Sequence, residues 1–190
     1  MAAAAPSAPA PGRRSARWLA APLVAGALVA LTVGLLAREH FTSDRDYGYF
    51  RLFFSDPLHL KAWFATAVVV LALAQLFTAA WIFRKLPWRR PAWVPALHRW
   101  TGRLAFALTI PVAYHCVFQL GFQRFDGRVL AHSLAGCAVY GAFAAKVTVV
   151  RLHRFPGWVL PTAGGLLFAA IMAVWWSSAL WLFRTLGVQL

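Results

Sequence analysis

The sequence predicts an all-α protein, an integral membrane bundle of five transmembrane helices with a cytoplasmic N-terminus. Three observations point there. Of 190 residues, 61% are hydrophobic and only 13% charged, against about half and about a quarter in soluble domains. The apolar residues fall into five long runs. The charges lie between the runs, basic on alternate connections and acidic on the others.

Met1 to Gly12 holds only Met, Ala, Pro, Ser and Gly, too little apolar side chain to order against a core. Residues 1–17 are therefore expected to form a disordered cytoplasmic tail, and 18–190 one membrane domain. The first run, Trp18 to Ala37, follows Arg13, Arg14 and Arg17 and has the look of a signal peptide. It is too long for an h-region, and Leu35-Leu36-Ala37 lacks the small residue a cleavage site needs, so it reads as a retained helix.

Four further runs, Ala62 to Phe83, Leu104 to Leu120, Val129 to Val150 and Trp158 to Phe183, can cross a hydrocarbon layer roughly 30 Å thick, the third with help from its polar flanks. Periodicity does not separate strand from helix in such segments. Lipid does, because an open strand would leave its backbone polar groups unpaired. With flanks included, the helices are expected near residues 18–37, 62–83, 98–120, 129–151 and 158–183. Trp63, Trp81, Trp100, Trp158 and Trp181 mark their ends, where an indole buries its ring and keeps its N–H wet.

The connections set the orientation. Arg13, Arg14, Arg17, Arg84, Lys85, Arg89, Arg90, Arg99, Arg103, Lys146, Arg151 and Arg154 fall on one side, 12 of the 19 basic residues. That side is predicted to be cytoplasmic. All five acids, Glu39, Asp44, Asp46, Asp56 and Asp126, fall on the other. The net charge of +14 thus reflects topology and attraction to lipid headgroups, and nucleic acid is excluded as a partner because no basic face stands beside base-reading elements. Cys116 and Cys137 lie inside predicted spans and read as small packing residues.

Among six histidines, His40 and His59 belong to the first external loop or its edge, where a solvated imidazole needs no explanation. The other four lie on the third and fourth helices or at their ends. A short connection makes those helices antiparallel neighbours. At 1.5 Å per residue, His115 lies about 8 Å below the outer end of the third helix and His132 about one turn below the outer start of the fourth. His98 and His153 mark the inner ends. An outer pair, His115 with His132, and an inner pair, His98 with His153, follow from depth. Facing imidazoles on neighbouring helices are what a six-coordinate b-type haem needs.

Around the helix, His98 and His115 are about 100° apart and His132 and His153 about 60°, so each pair shares a broad side. Pro111 lies between the first two and removes a backbone hydrogen bond. Gly102 and Gly136, each four residues after a histidine, leave room either for a flat macrocycle or for close helix packing. Ser133, Cys137, Gly141 and Ala145 form a small-residue ridge that reads as packing. Arg99, Arg103, Arg124 and Arg128 are candidates for haem propionates as well as interface anchors. Gln75, Gln119 and Tyr140 suit interhelical hydrogen bonds, and Lys146 is expected to snorkel inward.

The segments LHRWTGRLAF, PVAYHC and LAHSLAGCAVYGAF resemble the core of transmembrane di-haem b-type cytochromes and ferric reductase-like membrane domains. The whole chain also resembles an uncharacterised family of small membrane proteins from high-GC bacteria, in keeping with 16 arginines against three lysines. The first resemblance implies one or two b haems held by His98, His115, His132 and His153, and electron transfer across the cell membrane with a quinone or redox-protein partner, in a homo- or hetero-oligomer. No Gly-rich dinucleotide turn follows a predicted strand, so the chain is not an NAD(P)H-driven reductase by itself. Two other classes remain: a non-redox membrane subunit or scaffold with structural histidines, and a metal or proton transporter. The absence of Asp and Glu from every span counts against the transporter.

Overall fold

The computed structural model describes residues 12–39, 49–153 and 155–188, with side chains of the first helix from Ala20 onward. His40, Asp44, Asp46, Arg154, the side chains of Arg13, Arg14 and Arg17, and the expected tail up to residue 11 lie outside that description. The described residues are helical with no strand. Five helices are long and apolar enough to cross a membrane: α1 (Gly12–Glu39), α2 (Pro57–Ile82), α3 (Val94–Leu120), α4 (Gly127–Leu152) and α5 (Val159–Leu186).

The helices start earlier than the apolar runs do. Helix α1 begins at Gly12, inside the segment expected to be tail, because each residue added to an existing helix gains a hydrogen bond without a new nucleus. Helix α2 begins at Pro57 because Asp56 caps it, its Oδ1 accepting from the N–H of Leu58 (2.7 Å) and His59 (2.9 Å). His59 is therefore not a solvated loop residue. It is 3% exposed, with Nδ1 2.5 Å from Asp56 Oδ2. Burial works to raise the Asp56 carboxyl, but the hydrogen bonds from His59 and Leu58 outweigh it and hold the group below its usual value. Asp126 caps α4 in the same way through Val129 N–H.

Two of the helices change pitch at one end. Residues His115–Leu120 of α3 and Trp176–Leu180 of α5 are π-helical. In α5 the cause is two adjacent serines: Ser177 Oγ donates to Ala173 O (2.7 Å) and Ser178 Oγ to Val174 O (2.7 Å), competing with the backbone ladder. In α3, His115 Nδ1–H shares the Pro111 carbonyl with the backbone (2.8 Å). π turns of this kind free carbonyls and occur often at functional sites.

The order around the bundle is α3, α2, α5, α4, α1. The ring closes where the π turn of α3 meets α1, pinned by Phe122 N–H donating to Ala37 O (3.0 Å). Helices α3 and α4 thus do not approach backbone to backbone and meet only through side chains such as Phe106 on Phe143, which corrects the close pairing expected from their short connection. The reason lies in α1, whose Gly26 meets Gly141 of α4. A Cβ on Gly141 would stand 2.7 Å from Gly26 O and 2.9 Å from Ala30 Cβ, and Cys137 approaches Gly34. The ridge packs from Cys137 to Ala145 against α1, as read from its spacing, while Ser133 bonds the Gln123 backbone instead.

Candidate functional site

Because α3 and α4 stand across the ring from one another, the acidic end of the bundle encloses a cavity of about 390 Å³, within the usual range for small-molecule sites. All five helices line it. Its walls are Val33 and Ala37 of α1, Ala62, Ala65 and Val68 of α2, Val112, Ala113, Cys116 and Val117 of α3, Gly136, Cys137 and Val139 of α4, and Ile171, Val174 and Trp175 of α5. Tyr140 and Thr109 cross its floor, with Tyr140 O–H donating to Thr109 O (3.2 Å). Beneath them Phe106 and Phe143 stack at 4.4 Å.

The polar groups of the cavity gather toward the acidic end: His132, Lys61, Arg128, Ser133 and Gln123. Ser177 fixes the state of His132. Its hydroxyl proton is spent on Ala173 O, so its oxygen accepts from His132 Nδ1–H (3.2 Å). The Val174 backbone is a further hydrogen-bond partner of the ring; with its proton on Nδ1, imidazole keeps the Nε2 lone pair, for which no hydrogen bond is recorded among the described residues. A histidine oriented by a hydrogen bond at one nitrogen, with the other free, is the usual arrangement of a metal-ligating imidazole.

Lys61 has no carboxylate partner among the described residues and lies within electrostatic reach of both His115 and His132. Arg128 is more committed. Its guanidinium donates to Ser177 O (2.8 Å), a carbonyl released by the π turn, lies 4.0 Å over the Trp181 ring and comes within 3.9 Å of Asp126. No acidic residue among the described residues lines the cavity. An apolar chamber with an unpaired cation and a free imidazole nitrogen favours a ligand with an apolar body, acidic groups at one end and an electrophilic or metal centre.

The other three histidines lie elsewhere. His115 is completely buried, but against the segment preceding α2: its Nε2 accepts from Phe50 N–H (3.3 Å), its Nδ1–H goes to Pro111 O, and its ring stacks on Tyr49 at 5.6 Å. His98 turns toward α2, where Nδ1 bonds Thr78 Oγ1 (2.8 Å) and its carbonyl accepts from Gln75 Nε2 (2.5 Å). His153 is exposed in a left-handed conformation at the end of α4, Nδ1 donating to Arg151 O (2.9 Å). The structure does not bring His115 to His132 or His98 to His153. Rotation about α3 turns His98 toward α2 and His115 toward the segment that precedes it.

The glycines divide likewise. Gly136 lines the cavity with nothing within 4 Å of the point where a methyl group would stand, whereas Gly102 is filled by the Gln75 amide at 3.1 Å. Arg99, Arg103 and Arg124 are not part of the cavity lining, and Arg103 lies 4.9 Å over Trp100. Lys61 and Ser177 carry the site and were not singled out from sequence. One signal was present for Lys61: it is the lysine on the acidic half, while Lys85 and Lys146 lie on the other.

The model of one protein family, described as a family of unknown function (DUF6529), matches residues 19–190. No curated protein and no solved structure matches the chain.

Proposed function

With the chain belonging to DUF6529, whose function is unknown, we propose that it is a small multi-pass cytochrome of the cell membrane, holding one b-type haem in the central cavity and exchanging electrons with a quinone or redox-protein partner. The observation that carries the reading is His132, fixed by Ser177 with its Nε2 lone pair free in an apolar chamber. In this reading His132 would hold the iron through Nε2, and Lys61 and Arg128 would meet the acidic side groups. The bare edge at Gly136 admits a flat ring. When bound, the haem supplies a one-electron couple; the protein supplies ligation, insulation and compensating charge.

The residues fit one haem held by one histidine better than two haems held by four. His115 spends both ring nitrogens on Pro111 and Phe50, which favours the rival reading of a non-redox subunit for that position, and His98, held through Nδ1 by Thr78, does not line the cavity. A single measurement separates the alternatives. Protein purified from a haem-replete host is examined by reduced-minus-oxidised spectroscopy; a b-type band is expected, lost in His132→Ala and retained in His98→Ala. No band at any stoichiometry refutes the cytochrome reading. Equal loss of the band in His115→Ala, with the fold intact, restores the two-histidine arrangement.

A further inference from the structure

We propose that the α2–α3 connection, at the arginine-rich end of the bundle, forms a pocket for the phosphate of an anionic phospholipid headgroup. The pocket, about 450 Å³, is lined by Trp81, Arg84, Trp88, Arg89 and Arg90 around Leu86 and Pro87. It lies at the opposite end from the cavity and does not depend on what the cavity holds.

Charge is the first reason. Arg84, Lys85, Arg89 and Arg90 have no ion-pair partner among the described residues, whose acids, Glu39, Asp56 and Asp126, belong to the acidic end. None of those acids supplies a counter-ion here, which leaves the place to a ligand. The second reason is an unused donor: Trp81 Nε1–H is buried without a hydrogen-bond acceptor, a state that costs free energy unless a ligand supplies an oxygen.

The third reason is conformational. Helix α2 ends with Lys85 N–H on Ala80 O (2.9 Å) and Arg84 N–H on Trp81 O (3.1 Å), with Arg84 in the left-handed region at φ 55°. Glycine is the default there, and a side chain with a Cβ is disfavoured. An arginine kept at that position holds its charge over the pocket. Helix α3 starts at the same end with no side-chain cap and no acid in its first turn, leaving its positive dipole end unserved. The rings of Trp81, Trp88 and Trp93, 6.0 to 6.2 Å apart at centroids, give the pocket an apolar collar, which suits a headgroup continuous with acyl chains better than a free anion.

The test uses the full chain in detergent, with added phosphatidylglycerol or phosphatidylcholine of matched acyl chains, read as lipid retained in native mass spectrometry. Phosphatidylglycerol should be retained and phosphatidylcholine lost. Joint Arg84→Gln, Arg89→Gln and Arg90→Gln should weaken retention roughly a hundredfold, at roughly fivefold per charge. Arg51→Gln with Arg124→Gln, cations of the acidic end, should change nothing. Trp81→Phe, which removes one donor and little else, should weaken retention several-fold and decides the matter if the triple variant misfolds by circular dichroism. Equal retention of the two lipids, undiminished retention in the Trp81 variant or in a folded triple variant, or displacement of phosphatidylglycerol by millimolar inorganic phosphate would overturn the proposal, the last by making the ligand a free anion.

Discussion

Substituting alanine at two glycines of one helix should change stability in opposite directions. At Gly141 the new methyl would lie 2.7 Å from Gly26 O and 2.9 Å from Ala30 Cβ, both held on a facing helix with no flexible side chain to move aside. Ordinary contacts there need about 3.5 Å or more, so α1 and α4 must separate by roughly 0.6 to 0.8 Å along their crossing. Overpacking of that kind costs about 1–3 kcal/mol. Gly136, five residues earlier, has nothing within 4 Å; alanine there gains up to about 1 kcal/mol of helix propensity. Gly26→Ala meets Gly141 O at 2.8 Å and should behave like Gly141→Ala. Because the first substitution already parts the helices, the double variant should cost less than the sum of the two singles. The assay is denaturant or thermal unfolding in detergent, followed by circular dichroism, for the three single variants and the double. Gly141→Ala as stable as Gly136→Ala, or strict additivity of Gly26 and Gly141, would refute the close crossing and with it the ring order that opens the cavity.

Other perturbations test the site and its supports. Ser177→Ala removes the acceptor that fixes His132 Nδ1–H and should weaken haem affinity 10- to 100-fold, the usual effect of losing a ligand's orienting partner; Thr162→Ala, which removes a hydroxyl bonded to Trp158 O away from the cavity lining, should have little effect in the same spectral titration. His115→Phe deletes the bonds to Phe50 and Pro111 and should cost about 1–3 kcal/mol, seen as faster hydrogen exchange at Phe50 N–H. Asp56, whose carboxyl is held below its usual value, stabilises the fold at pH above its unfolded pKa of about 3.9, and that contribution disappears as pH falls through the lower folded value. Acid unfolding curves of the wild type and Asp56→Asn should therefore converge at low pH and separate above it, with the variant the less stable.

Much of the architecture was legible because lipid narrows the choices. Once five runs of sufficient length are found, helices are required, and the separation of arginines from acids orders their ends. Polar residues inside the spans were legible as well: Gln75 and Tyr140 make the interhelical hydrogen bonds their types suggest. The ends were read less well. Asp56 and Asp126 act as caps, and a cap extends a helix into residues that look like loop, which is how His59 came to be buried.

Sequence alone determined the number of spans and the small-residue ridge of α4, since each depends on length or local spacing. Which helix faces which depended on tertiary structure. Helix α2 is apolar on nearly every side and carries no stripe to name a partner, and the ridge of α4 would accept any neighbour with small residues. The contact of Gly26 with Gly141 decided the matter, seating α1 on α4 and parting α4 from α3. From that follow the cavity, the burial of His115 against Tyr49 and Phe50, and the emergence of His132, beside Lys61, as the imidazole that faces the apolar chamber.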